Sequence, residues 1–272
     1  MMEFSVLVSV YKNDKAEDFR TALESVTFEQ TLMPTEVVLV VDGPVPDGTN
    51  RVITDFEAAF PRQLKVIRFE QNQGLGIALQ QGMLATSNEI VMRMDSDDIA
   101  APDRFKKQCQ FMESHPDVAI CGGQIVEFID GVGDVGKRTV PCTDSEIRKY
   151  MKSRCPFNHM TVALRRSKVL EAGNYQAWFW NEDYYLWIRM MLAGQEFANL
   201  PDTLVHVRVG RDMYMRRGGK KYFRSEVDIQ KLLRRNGLIS WPRYCFNVAV
   251  RWGVQVAMPN GLRSFIFQKV FR

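Results

Sequence analysis

The feature that most constrains this chain is a repeated handover near its start. A short apolar run stops at polar groups, a helix-spaced segment follows, and another apolar run begins. In "EFSVLVSVYKND" the run is Phe4, Val6, Leu7, Val8 and Val10, a β-branched stretch that reads as a buried strand. From Asp14 onward Phe19, Ala22, Leu23 and Val26 recur at helical spacing. "EVVLVVDG" (36–43) is a second strand, ending at Asp42 and a Gly-Pro turn. A helix over about 50–59, a strand at 64–69, a helix at 74–86 and a strand at 89–94 continue the alternation. That order predicts an α/β fold: a Rossmann-like, mainly parallel central sheet flanked by helices. Such sheets bind ligands beyond the carboxyl ends of their strands. Three strands here end in polar groups: Tyr11 with Asn13, then Asp42, then Asp95 with Asp97 and Asp98.

The middle of the chain is less regular. Residues 118–129 read as two strands interrupted at Gly122-Gly123, and 159–167 alternate like a strand. Residues 182–194 read as a helix with Leu186, Met190 and Leu192 or Ala193 inward and Gly194 as the stop. Beyond Lys220 the pattern is helical again. With 272 residues, 46% hydrophobic, the chain can bury a large core as one domain or one domain with a tail. "FSVLVSVY" is too short for a signal peptide and follows Glu3, and no apolar run is long enough to predict a spanning helix. Five cysteines, an odd number without close pairing, suit a reducing compartment and argue against a zinc site.

Charge is unevenly spread. Residues 203–272 hold 15 Lys/Arg and 3 Asp/Glu, whereas the residues before them hold 21 and 29. No acid follows Asp228. The C-terminal part is therefore expected to face something anionic: a membrane surface, nucleic acid or a phosphorylated substrate.

The acidic stretch "MRMDSDD" runs against this trend. Crowded carboxylates resist ionising together. Asp95 and Asp97, two apart at a strand end, aim to one side. Two hard oxygens there suit Mg²⁺ or Mn²⁺, which completes its shell with water and substrate phosphate. The alternative is a capping turn, with Asp98 or Asp103 starting a helix at 101–114 and Pro102 in its first turn. "QGLGIALQQG" is not a dinucleotide fingerprint, because position 79 is leucine where glycine is needed and the segment follows the third strand.

Taken in order, "SVLVSVYKND", the strand-end Asp42, "QNQGLGIALQQGM", "MRMDSDDIAAPDRF" and "NEDYYLWIRM" resemble bacterial family-2 glycosyltransferases over residues 3 to 220. "CPFNHMTVALRRS" and "RVGRDMYMRRGGKKY" resemble the subset that assembles O-antigen, capsule and exopolysaccharide. The resemblance implies a GT-A fold, with a domain over 1–220 (nucleotide half 1–100, acceptor half 101–220) and a helical basic region over 221–272. It places Val10 (through its backbone) and Tyr11 at the nucleobase, Asp42 at uracil, and Asn72 and Gly74 along the nucleotide pocket. Arg93 and Asp95 flank ribose and diphosphate, and Asp97 matches the metal ligand. His206 or water is left as a third ligand, because position 210 is glycine where relatives carry histidine. Asp183 matches the general base, and Glu182 would hold acceptor hydroxyls or orient the loop. His159 and Trp180 fall in the acceptor region. Arg208, Arg211, Arg216 and Arg217 could reach a diphosphate or a lipid phosphate.

The implied reaction is an inverting transfer of a hexose or N-acetylhexosamine, dependent on Mn²⁺ or Mg²⁺. It runs from a nucleotide sugar, a UDP-sugar by the match at Asp42, to a hydroxyl of a lipid-linked oligosaccharide. The acid pair "NED" also reads as helix capping. In the tail, Trp241, Tyr244, Cys245, Val248, Trp252 and Val256 recur every three or four residues, and Leu262, Phe265, Ile266 and Val270 follow. With Arg243 and Arg251 between them, these read as an interfacial anchor to the inner face of the cytoplasmic membrane, or as stripes that close a core or dimer. Nucleic acid is not expected, because no recognition module accompanies the charge. A non-catalytic scaffold of a polysaccharide complex would have no use for Asp183. A nucleotidyltransferase would need an early Gly-rich loop containing arginine, which is absent.

Overall fold

The computed structural model describes residues 2–210 and 219–258. Strands β1 (Phe4–Val10), β2 (Glu36–Val41), β3 (Leu64–Arg68) and β4 (Ile90–Met94) run parallel in the order β3-β2-β1-β4. Helices α1 (Ala16–Ser25), α2 (Asp47–Ala59) and α3 (Leu75–Ala85) connect them. The chain steps outward from β1 to β3, then returns across β1 to lay down β4. This reversal puts the carboxyl ends of β1 and β4 side by side at the switch point of the sheet, with Val8 opposite Met94.

Period-two alternation divides β1 between two cores. Val6, Val8 and Val10 face Phe19, Leu23, Ile53, Phe56 and Phe105 of α1, α2 and α4 (Arg104–Ser114). Leu7 faces the other way, into the core that holds Ala78, Leu79 and Met83 of α3. That second core also takes Leu186, Trp187 and Ile188 of α7 (Glu182–Leu192) and Ile229 and Leu233 of α8 (Lys220–Arg235).

Past β4 the sheet is mixed. β8 (Ala163–Arg165) pairs antiparallel with β4 and with β6 (Val118–Ile129). β6 pairs parallel with β9 (Glu196–Arg208), which takes the two-residue β5 (Ile99–Ala100) antiparallel on its far side. β7 (Gly133–Arg138) folds back on β6. Helices α5 (Asp144–Met151), α6 (Arg166–Glu171) and α9 (Trp241–Trp252) complete the described chain, α9 running into a π turn at Gly253–Ala257.

Three expectations are corrected. Gly122 and Gly123 do not split the strand. β6 is continuous, and the pair marks a register shift against β9. A Cβ at Gly122 would stand 2.2 Å from Asn199 Oδ1, and one at Gly123 2.4 Å from Leu204 Cδ1. These glycines admit a close neighbour rather than break the chain. The strand expected over 159–167 shrinks to three residues, because His159–Thr161 forms a 3₁₀ turn and α6 starts at Arg166. The Thr161 hydroxyl donates to the Asn158 carbonyl (2.8 Å), and the Asn158 side chain donates to the Gly123 carbonyl (2.8 Å). Such local bonds compete with ladder pairing. In α7, Leu186 and Met190 are buried as expected, but Leu192 is 44% exposed and Ala193 is exposed too. Leu192 falls on the strip of Tyr185 and Arg189, the less buried side of the helix.

Candidate active site

Strand register gathers the expected nucleotide residues. Val10 lies opposite Val41, and its carbonyl accepts the Asp42 N–H at 2.8 Å. The Tyr11 N–H donates to Asp14 Oδ2 (3.0 Å), which also accepts the Ser96 hydroxyl (2.7 Å), tying the end of β1 to the turn after β4. Asp42 is buried. Its Oδ1 accepts the Gln73 N–H at 2.7 Å, and its Oδ2 accepts the Asn72 side-chain amide at 2.8 Å and the Gly74 N–H at 2.9 Å. Gly74 has φ +89°, a conformation close to glycine-only with its ψ of 157°, and this lets successive amides converge on one carboxylate. Asp42 thus welds β2 to the loop before α3. About four lone-pair positions exist on a carboxylate, so one on Oδ1 remains for a ligand.

Beside this lies Arg93, 2% exposed, paired with Asp95. Burial opposes its charge, but Asp95, with Tyr175 and Asp98, more than offsets this, and its pKa stands above the ordinary arginine value. Its Nε and Nη1 are buried without a partner among the described atoms. Its carbonyl accepts from Arg104 Nη2 at 2.7 Å. Arg104 is itself fully buried, its pKa lowered to about 9 by burial and by Arg93. It is held by Gln108, whose amide donates to the Cys121 and Thr161 carbonyls.

The side chain of Asp97 reaches solvent, yet protein crowds its carboxyl. That desolvation, then the charges of Asp95 and Asp14, push its pKa up to about 7. Asp98 is buried and rises well above the usual carboxylate range, through burial and then Asp95 and Asp97. Its Oδ1 accepts the Arg208 N–H at 2.9 Å, anchoring β9. Capping does not account for these acids, because Asp103 precedes α4 without a side-chain capping bond.

An excess of crowded negative charge around Asp97 is where a divalent cation fits. Among the described residues, however, no group of three His, Cys, Asp or Glu side chains is placed to hold one. Asp95 and Asp97 supply the one or two carboxylates that Mg²⁺ typically takes from protein. His206 lies on β9 opposite Ile99 and Val126 and does not complete a set with them. Arg208 is committed elsewhere too. Its Nε donates to the Asp97 carbonyl (3.1 Å) and lies 3.4 Å from Asp18, its Nη1 pairs with Asp130, and its guanidinium covers the Phe128 ring. It braces the acidic turn from outside rather than offering its fork to a phosphate. Arg211, Arg216, Arg217 and the tail from 259 onward lie outside the described residues.

The second acid pair opens α7. Glu182, 8% exposed, is pushed up to about 7 by burial and by Asp183. Asp183 is also raised by burial, while the Tyr184 N–H, the Cys155 thiol, Arg93 and Arg138 pull it back down. The thiol donates to Asp183 Oδ2 at 3.4 Å. The charges of Arg93 and Asp95 act on Glu182, so both acid pairs lie within electrostatic reach of Arg93. His159 Nε2 lies 3.0 Å from the Tyr175 hydroxyl, and burial together with Arg93 holds the imidazole neutral. Trp180, 46% exposed at φ +56°, stacks on Phe179 and leans toward Tyr222. A cavity of about 510 Å³ opens between Asp183, His159, Trp180 and α9. The sequence reading missed Asp14, Arg138, Cys155 and Tyr175. Asp14 could have been found as the one acid in the polar turn between β1 and α1. Cys155 carries no local signal at all.

Residues 5–173 match the profile of Glycosyl transferase family 2, and 90–268 that of Glycosyl transferase family group 2. The chain is 43% identical over its full length, and that of its relative, to an uncharacterized glycosyltransferase of Haemophilus influenzae. It is 40% identical to the amylovoran biosynthesis glycosyltransferase AmsE of Erwinia amylovora, covering 98% of each chain. It is 35% identical to a UDP-Gal:alpha-D-GlcNAc-diphosphoundecaprenol beta-1,3-galactosyltransferase of Escherichia coli, covering 99% of this chain and 97% of that one. The fold is similar to that of the mannosyltransferase PcManGT of Pyrobaculum calidifontis, solved with GDP-Man and Mn²⁺ (TM-score 0.65, 17% identity, 96% of this chain and 71% of that one). It is equally similar to S. aureus TarS 1–349 solved with UDP-GlcNAc (TM-score 0.65, 18% identity, 99% and 76%). The mixed, mostly parallel sheet is thus of GT-A type.

Proposed function

The chain belongs to glycosyltransferase family 2, and we propose that it is an inverting enzyme of surface polysaccharide synthesis. It would move a hexose or N-acetylhexosamine from a UDP-sugar to a hydroxyl of a lipid-linked oligosaccharide. The observation that carries this reading is that the buried Arg93 pairs with Asp95 and its charge also reaches Asp97, Glu182 and Asp183, so that two acid pairs 85 or more residues apart in sequence share one cation. Relatives that work in amylovoran biosynthesis and on a diphosphoundecaprenol acceptor support the pathway and the acceptor class.

The Asp42 loop receives the base, and Arg93 sets positive charge where ribose and diphosphate lie. Asp95 and Asp97 would hold Mn²⁺ or Mg²⁺, which when bound offsets the negative charge that gathers on a leaving diphosphate. Asp183 takes the proton of the acceptor hydroxyl as that oxygen bonds to the anomeric carbon. The bond from that carbon to the diphosphate breaks on the opposite face, which inverts the centre. Glu182, pushed up to about 7 by burial and by Asp183, hydrogen-bonds the acceptor hydroxyl while Asp183 takes its proton.

No helix among the described residues is long and apolar enough to cross a membrane. Trp241, Phe246, Val250 and Trp252 of α9 are exposed, which supports a peripheral position on the inner face of the cytoplasmic membrane.

The test pairs binding with turnover. In wild type, Mn²⁺ and UDP should raise the melting temperature, and a UDP-sugar with a lipid-diphosphate sugar acceptor should release UDP. Asp183→Asn should leave that thermal shift in place and lower transfer by about 10² to 10⁴. Turnover unimpaired in Asp183→Asn removes the base. Full activity after chelation removes the reading of Asp95 and Asp97.

A further inference from the structure

The cavity beside Asp183 has two kinds of wall. One is cationic: Arg138 from β7, Arg154 after α5, and Arg243 from the first turn of α9. The other is apolar: Phe246 and Val250 on α9 and Val254 in the π turn beyond it. Phe246 is 62% exposed, although it lines a concavity.

The way α9 is seated explains this. Amphipathic helices normally bury the apolar side. Here the seat is polar. Asn247 is buried and donates to Gln230 Oε1 (2.7 Å) and to the Lys152 carbonyl (3.0 Å). One turn on, Arg251 donates to Glu226 (2.6 Å) and to the Ser153 carbonyl (2.6 Å). These bonds fix α9 against α8 and the end of α5. They leave Phe246 and Val250 facing the cavity mouth, with Trp241 and Trp252 exposed as well. A chain that docks a helix by its polar side keeps its apolar side for another occupant.

The occupant that this lining fits is anionic on the arginine side and apolar farther out. Arg138 donates to the Cys155 carbonyl and the Cys155 thiol donates to Asp183, so the cationic wall adjoins the base. Glu127 and Glu226 also line the cavity, but Arg251 pairs with Glu226, and the four arginines Arg138, Arg154, Arg243 and Arg251 outnumber the three acids Glu127, Asp183 and Glu226. A volume of about 510 Å³ lies within the range of small-molecule sites.

We propose that this cavity is the acceptor channel: Arg138, Arg154 and Arg243 face the diphosphate of a lipid-diphosphate acceptor, and Phe246, Val250 and Val254 receive the first segment of its lipid. This rests on the transferase reading above. α9 is then a specificity element for acceptors that carry both groups, and free oligosaccharides are poor acceptors.

The test measures binding of farnesyl diphosphate by calorimetry to the full chain, with Mn²⁺ and UDP saturating so that the donor site is closed. Inorganic diphosphate and farnesol serve as single-feature probes. Farnesyl diphosphate should bind at least about tenfold more tightly than either. Arg243→Gln and Phe246→Ser, both at exposed positions, should each weaken it by about tenfold. Both variants should keep the UDP affinity of wild type, which also shows that they fold. Equal affinity for farnesyl diphosphate in wild type and variants, with UDP binding intact, overturns the channel and leaves the transferase standing. Inorganic diphosphate binding as tightly as farnesyl diphosphate overturns the lipid wall. Failure of wild type to bind Mn²⁺-UDP takes the underlying reading down, and the channel with it.

Discussion

The donor side and the acceptor side of this site are built in different ways. On the donor side, Asp42, Asn72, Gly74, Arg93 and Asp95 follow strands in regular parallel register and bond to one another. On the acceptor side, Asp183, His159, Trp180, Cys155 and Arg138 come from a helix start, a 3₁₀ turn, two loops and a hairpin strand, around a cavity that opens outward. The donor pocket is rigid because sheet hydrogen bonding has already fixed it. The acceptor side is tied together by side-chain bonds between loops and helices, such as Cys155 to Asp183 and Arg251 to Glu226, rather than by a sheet ladder.

Arg93 belongs to both sides, so its loss should break the comparison most severely. Arg93→Met leaves Asp95 and Asp98 without their nearby cation in a buried setting. Removing one partner of a buried pair costs about 3 to 5 kcal/mol. We expect the melting temperature to fall by roughly 10 °C and transfer to vanish, read by calorimetry and UDP release. A melting temperature within about 2 °C of wild type would show that the two halves are electrically independent.

Asp42→Ala should act on the donor side only. It frees the Gln73 and Gly74 amides together and lets the loop before α3 relax. A lost set of buried bonds of this kind costs about 1 to 3 kcal/mol, so KM for the UDP-sugar should rise roughly tenfold to a hundredfold. The KM for acceptor should stay unchanged. A matching rise for acceptor would mean that the loop supports both sides.

How far each side was legible follows from the same contrast. Periodicity of two and of 3.6 residues reports sheet and helix, and a parallel sheet then gathers its strand ends. The gathering of Tyr11, Asp42 and Asp95 at one end of the sheet was therefore readable from the sequence, although their order, with Tyr11 between the other two, was not. The Asp14–Ser96 link needed only the reversal of strand order. Acceptor residues had no such carrier. Cys155 meets Asp183 through a loop with no period, and Arg138 arrives on a hairpin glimpsed only as irregular sequence. The partners of Arg208 were hidden for a related reason: Asp18 and Asp130, which it meets, are remote from it in sequence. The apolar stripe of α9 was visible. That its polar side is the docked one was not, since Gln230 and Glu226 lie on another helix.

Glu182 sharpens the acceptor side through pH. Its folded pKa of about 7 exceeds the ordinary 4.5 through burial and Asp183. The neutral acid is the form that the fold prefers. Its stabilising contribution is complete below about pH 4.5 and disappears as pH rises through about 7. The metal-free protein should then melt several degrees higher at pH 5.5 than at pH 8, and Glu182→Gln should flatten that difference by raising the pH 8 value. An unchanged slope in the variant would assign the pH dependence to other acids.

The smallest effect expected is at Cys155, and it isolates a single bond. The thiol donates to Asp183 Oδ2, which favours the charged carboxylate and holds its pKa below what burial alone would set. Cys155→Ala removes the donor and little volume. The Asp183 pKa then rises, and the acid limb of kcat/KM should move upward by a few tenths of a pH unit, because less of the base is ionised at a given pH. Well above that limb the rate should match wild type, since the base itself is intact. Cys155→Ser, which restores a donor, should bring the limb back. If alanine and serine behave alike, or if the rate falls equally at every pH, the thiol matters to packing at the end of α5 and not to the ionisation of the base.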